Sequence, residues 1–129
     1  MVDLIEQGAR RLAAIRKANA GRIVTYCRDS ASVTIRASLG QSTFALVTGD
    51  GPAIEVTRRD YFISPADLVL DGKAVTPAVG DKVQESDPDT GVVRTYEVCG
   101  PGGDSPAWRY TDRYNTDFRV HTVEAGSRA

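Results

Sequence analysis

The sequence is poor in the groups that most often carry out chemistry. Its 129 residues hold one histidine, His121, and two cysteines, Cys27 and Cys99. A base–nucleophile relay would have to be built on His121 alone. One histidine and two cysteines in separate strand-like runs give no metal-ligand spacing. The two thiols are expected to be buried and free, as in a cytosolic protein; pairing would require them to sit on adjacent strands. No apolar run approaches the roughly 20 residues that span a bilayer. The opening segment carries Asp3 and Glu6 and has no continuous apolar core, which argues against a signal peptide. A basic excess is missing too: the net charge of −1 argues against nucleic acid as the main partner. The expectation is no catalytic residue, no cofactor and no metal.

Hydrophobic content of 41% and charged content of 26% are those of a globular chain, long enough to bury a core without staples. We read one domain over 1–129, with an N-terminal helix in 1–20 and a β region in 22–126. The charge is unevenly spread: residues 1–36 sum to +4 and the remainder to −5. This split suits head-to-tail contact between like subunits, or docking on an acidic neighbour; the alternative is solvated faces with no partner.

Residues 3–19 read as the one helix. Leu4, Ile5, Gly8, Leu12 and Ile15 share a stripe at helical spacing, Asp3 and Glu6 stand where a capping box belongs, and 19–21 supply the stop. Arg10, Arg11, Arg16 and Lys17 complement the helix dipole. The narrow stripe predicts a helix laid over one end of a sheet, or against a neighbouring subunit.

From Arg22 onward the pattern is β. Strands are expected at 22–28 and 32–37, joined by a hairpin at 29–31, and at 41–47 and 52–57, joined at Gly49-Asp50-Gly51. Further strands follow at 59–64, at 69–75 (broken at Asp71-Gly72), at 81–85 and at 92–99, with one helical turn at 65–68. The fold class is mainly β: a small antiparallel β-barrel or sandwich of about seven strands with one N-terminal helix.

The most distinctive chemistry is in 106–126. It holds the only Trp, the only His, Tyr110, Tyr114 and Phe118, set off by the Gly/Pro run 100–103. Alternation over 117–124 puts Phe118, Val120 and Thr122 on one face and Arg119, His121 and Val123 on the other. A lone histidine on an outer strand face is expected to be exposed or at an interface. Trp108, Arg109, Tyr110, Arg113 and Tyr114 interleave aromatic and basic side chains. Such a strip can stack on the bases of a single strand, yet Asp104, Asp112 and Asp117 dilute its charge, and protein interfaces use the same residue types as anchors. The Asp87–Gly91 run fails the calcium-loop count and reads as a hairpin turn. The run 100–103 lacks the Lys-Ser/Thr of a phosphate loop.

Several short motifs together resemble the head-completion (stopper) proteins of tailed-phage head–tail joints. They are Arg-Asp-Tyr (59–61), Pro-Ala-Asp-Leu (65–68), Pro-x-x-Gly-Asp-x-Val (77–83), Thr-Tyr-Glu-Val (95–98) and the closing Arg-Val-His-Thr-Val-Glu-Ala-Gly (119–126). The resemblance covers 55–126. It implies a structural virion protein without catalytic residues, forming a ring, commonly sixfold, between portal–adaptor and tail. It also implies a role in retaining packaged DNA, passive contact with DNA in the channel, and assembly in the host cytoplasm into the virion neck. The alternatives are a tail terminator or other tail-side connector, a single-strand nucleic-acid-binding β-barrel using Trp108, Tyr110 and Tyr114, and a small hydrolase using His121. The residues expected at partner interfaces are Arg10, Arg11, Arg16 and Lys17, meeting Asp87 and Asp89 of a neighbour, with Trp108, Arg109, Tyr110, Arg113 and Tyr114 as anchors.

Overall fold

A computed structural model describes residues 4–46, 49, 51, 54–100 and 105–128, with the side chains of all of these but 13–20, 46, 54, 127 and 128. Helix α1 spans Leu4–Ala20 and passes straight into β1, Gly21–Arg28. The cap expected at Asp3 lies outside the described residues. Asp29, at φ 53, and Ser30 make the tight turn into β2, Ala31–Leu46, as the sequence pattern predicts. Then follow β3 (Ile54–Ile63), the small hairpin β4 (Val69–Leu70) and β5 (Lys73–Ala74), β6 (Lys82–Ser86), β7 (Val93–Val98), β8 (Trp108–Tyr110) and β9 (Phe118–Arg128).

Strand neighbours run β3-β2-β1-β6-β7-β9-β8, all antiparallel. The pairing of β3 with β9, from Arg59↔Thr122 to Ile63↔Phe118, closes six strands into a barrel and leaves β8 as an extra strand. Closure removes the open edges on which sheets aggregate. β8 continues along β9 where β7 stops: Val98 is opposite Thr122 and Trp108 opposite Val120.

Two strand predictions are corrected. Residues 32–37 and 41–47 are one strand, and so are 52–57 and 59–64, in their described parts. Gly40, a natural place to end a strand, lies inside β2, where a Cβ would fall 2.6 Å from Phe62 Cε2. The glycine is there to let an aromatic ring lie on the backbone. The turn expected at 49–51 and the run at 100–103 fall largely outside the described residues. The segment at 65–68 is a turn closed by the Asp67 N–H on the Ser64 carbonyl at 2.9 Å.

The core is what strand alternation dictates. Val24 and Tyr26, Ile35 and Ala37, Tyr61 and Ile63, Tyr96 and Val98, and Phe118 and Val120 each alternate into the barrel, with Val83 between them and Leu68 and Leu70 packed on. Cys27 and Cys99 are free, half-buried rather than fully buried; burial pushes the Cys27 thiol up.

The helix does not do what its stripe suggested. It leaves Leu4, Ile5 and Leu12 at 80%, 66% and 69% exposure, so it does not cover the sheet with them. A narrow stripe interrupted by Gly8 and alanines offers the barrel little apolar area, and the barrel is already closed and filled.

Candidate interaction surface

Trp108 and Tyr110 share one side of β8 and meet Phe118 of β9, with ring centroids 5.1–5.3 Å apart. The two ring pairs of Trp108 are nearly perpendicular, the edge-to-face arrangement aromatic quadrupoles favour. Phe118 belongs to the core, and Trp108 and Tyr110 are half-buried against it. Arg109 points the other way and is exposed. The segment beyond β8 is tied to Asp112, whose Oδ1 accepts from the Tyr114 N–H (2.9 Å), the Thr116 N–H (3.2 Å) and the Thr116 hydroxyl (3.1 Å). Burial works to raise the Asp112 pKa, but the Thr116 and Tyr114 bonds outweigh it, with Arg10 adding a smaller pull, and the carboxyl sits below its ordinary value. At the tip of this loop Arg113 lies 4.9 Å over the Tyr114 ring and donates to its hydroxyl at 2.6 Å.

Arg10 of the helix is near enough to Asp112 to act on its charge. Arg10 also pairs with Glu6 at 3.0 Å, and Arg11 is exposed. The side chains of Arg16 and Lys17 lie outside the described residues. Asp87 and Asp89 are exposed in the β6–β7 turn, as expected of a hairpin. Asp87 Oδ1 accepts from the Asp89 N–H at 2.8 Å, which with the Thr90 N–H lowers the Asp87 pKa. No ion pair joins helix and turn within the chain among the described residues.

Three buried carboxylates were not singled out by the sequence reading. Asp81, just before β6, accepts from the Tyr26 hydroxyl, from Arg28 Nε and Nη2 (2.9 and 2.8 Å) and from the Ala78 N–H (2.9 Å). Glu85, near the end of β6, accepts from the Tyr61 hydroxyl and from Arg59 Nη1 at 2.9 Å, with Arg22 Nη1 at 3.4 Å. Burial, then the bonds to these carboxylates, pushes the Tyr26 and Tyr61 phenols well above the usual range. Asp60, fully buried on the outward face of β3, accepts from Ser42 and from Arg119 Nε (2.8 Å), and lies 2.8 Å from His121 Nδ1. Each of these three charges is thus met by an arginine and by further donors, as buried ions require. The only hint in the sequence was an acid inside an otherwise strand-like run, as in Arg-Asp-Tyr.

His121 requires a correction. It faces away from Phe118, as the alternation predicts, but is only 7% exposed. Phe44 of the long β2 folds onto it edge-on at 5.4 Å, and Asp60 holds its ring. Ser42 bonds Asp60 and accepts from Arg119 at 2.9 Å. The hydroxyl therefore sits on the carboxylate end of the pair, whereas a nucleophile relay needs it on the other imidazole nitrogen. The arrangement is a structural clamp between β2, β3 and β9. Among the described residues no group of three or more His, Cys, Asp or Glu is placed to hold a metal, and no helix is long and apolar enough to cross a membrane.

No curated protein matched the chain. A family model described as phage head-tail joining protein does match it, over residues 2–129. The match takes in helix and barrel alike, well beyond the motifs in 55–126, and the chain belongs to the phage head–tail joining protein family.

Proposed function

We propose that the protein is a stopper: one subunit of a hexameric ring between the portal–adaptor complex and the tail, which helps to retain packaged DNA. Family membership supports the connector role and a place in the virion neck. The observation that supports the ring is α1, whose Leu4, Ile5 and Leu12 are exposed while the barrel has its core complete. Exposed apolar stripes of this kind mark protein contacts. In this reading the helix faces a neighbouring subunit, and Trp108, Arg109, Tyr110, Arg113 and Tyr114 face a portal-side or tail-side protein. The role is structural rather than enzymatic; the buried Asp60–His121 pair supports this by its clamp geometry. Contact with DNA in the channel is passive, and the ring assembles in the host cytoplasm.

The test adds the purified protein to DNA-filled, tail-less heads and measures both the bound mass and the nuclease resistance of the DNA. A closed ring on the heads with newly protected DNA is expected. Protein that stays monomeric with heads present, and leaves the DNA open to nuclease, overturns the reading. Binding to isolated tails but not to heads would make it a tail terminator instead.

A further inference from the structure

A cleft of about 590 Å3 opens beside the β6–β7 turn, where β1, β6 and β7 run together. Ile23 stands on the outward face of β1 at 56% exposure, and with Pro88 and Val92 it gives the cleft an apolar wall. Arg22 and Arg59 also line it but are committed to the buried Glu85. The charges of the lining balance, Arg22, Arg59 and Arg94 against Glu85, Asp87 and Asp89, and the two aspartates stand together and exposed on the β6–β7 turn. The cleft is therefore an apolar wall with an acidic turn along one side, and no other described residue fills it.

The same chain carries the complementary shape. Leu4, Ile5, Gly8 and Leu12 fall within one turn-width of the α1 surface. A Cβ at Gly8 would meet nothing within 4 Å, so another surface can approach the helix backbone closely there. Arg11, seven residues after Leu4, runs along the edge of the stripe, and the helix is basic: Arg10, Arg11, Arg16 and Lys17 against Glu6. An apolar stripe with a basic border can bury its area on this apolar wall and set one arginine against the acidic turn, where the sign of the charge is opposite.

We infer that α1 of one copy seats its Leu4–Leu12 stripe in the Ile23/Pro88/Val92 cleft of the next copy, with Arg11 against Asp87 and Asp89. The inference rests on the ring reading above and names the joint that makes the ring. Helix and cleft are different patches, so each joint leaves one free helix and one free cleft. Such a heterologous contact propagates until it closes on itself.

The test uses two proteins in a Cys27→Ser/Cys99→Ser background, one with Leu12→Cys and one with Pro88→Cys. They are mixed, with tail-less heads present, and treated with a short thiol-reactive linker. Covalent dimers should form in the mixture and in neither protein alone. Ile23→Glu, on an outward exposed side chain, should weaken self-association by about tenfold to a hundredfold, the effect of one lost buried aliphatic contact. Asp89→Arg should weaken it less, and pairing Asp89→Arg with Arg11→Asp should restore it. If the wild-type protein forms a ring but the two cysteine variants give no mixed cross-link, and Ile23→Glu assembles as the wild type does, this joint is wrong and the ring stands. If the wild-type protein forms no ring on the heads, the ring reading falls and the joint with it.

Discussion

The barrel and the helix treat their own surfaces in opposite ways. In the barrel Asp60, Asp81 and Glu85 each have an arginine and a hydroxyl donor in the same chain, and Val24, Val83, Val98 and Val120 are at most 1% exposed. On α1 Leu4, Ile5 and Leu12 stand in solvent, Leu4 at 80%. One region buries and pairs its own groups; the other leaves its apolar side chains exposed. In the proposed ring, stability and assembly fall to different parts of the chain, and substitutions should separate them.

The largest effect is expected at Asp60. Asp60→Ala leaves Arg119, His121 and Ser42 without their common acceptor, which should cost about 3–5 kcal/mol, the scale for breaking a buried ion pair. Urea unfolding checks this, and a loss below about 1 kcal/mol would remove the claim that the clamp holds the barrel. Trp108→Ala should cost about 2 kcal/mol, less than a fully buried ring, because Trp108 packs half-exposed on Tyr110 and Phe118. If thermal melts show no change, the aromatic strip is an interface element alone and belongs with the helix.

A smaller effect is set by pH. Tyr26 and Tyr61 have phenol pKa values raised by burial and by Asp81 and Glu85. Their contribution is complete below the unfolded phenol value, about 10, and is lost as pH rises above it, because the unfolded chain ionises there and the native barrel does not. Stability should fall beyond about pH 10, and Tyr61→Phe should flatten that fall while costing about 1 kcal/mol at neutral pH. An alkaline denaturation series read by circular dichroism would show an unchanged slope if the two tyrosines were not the cause. Least of all should happen to the isolated subunit with Leu12→Ser: a change within about 0.5 kcal/mol, as for a surface site. A substantial loss of subunit stability would show that α1 is part of the folding core after all.

The legible parts of this protein were those whose signal is short. The turn at Asp87–Gly91, the hairpin at Asp29-Ser30 and the inward set Phe118, Val120 and Thr122 all follow from neighbouring residues. Strand lengths were less legible, because Gly40 reads as a break when nothing yet shows that Phe62 lies over it. The basic helix, the Asp87/Asp89 turn and the aromatic strip could be named as candidate surfaces from residue type alone. The cleft beside Ile23 could not, since its wall comes from β1 and from the β6–β7 turn, more than 60 residues away in the chain.

The sequence by itself determined one helix, a β region, inward and outward faces along each strand, and the absence of a relay around a second histidine. Periodicity and turn chemistry act over a few residues, and a linear pattern expresses them directly. Only the tertiary structure decided that β3 closes on β9, that Asp60, Asp81 and Glu85 find arginines 26 to 63 residues away, and that Phe44 buries His121. It also decided that α1 leaves Leu4, Ile5 and Leu12 exposed. Closing the barrel fixes which distant side chains share a face, and once that core is full it has no surface left on which a narrow helix stripe can be buried.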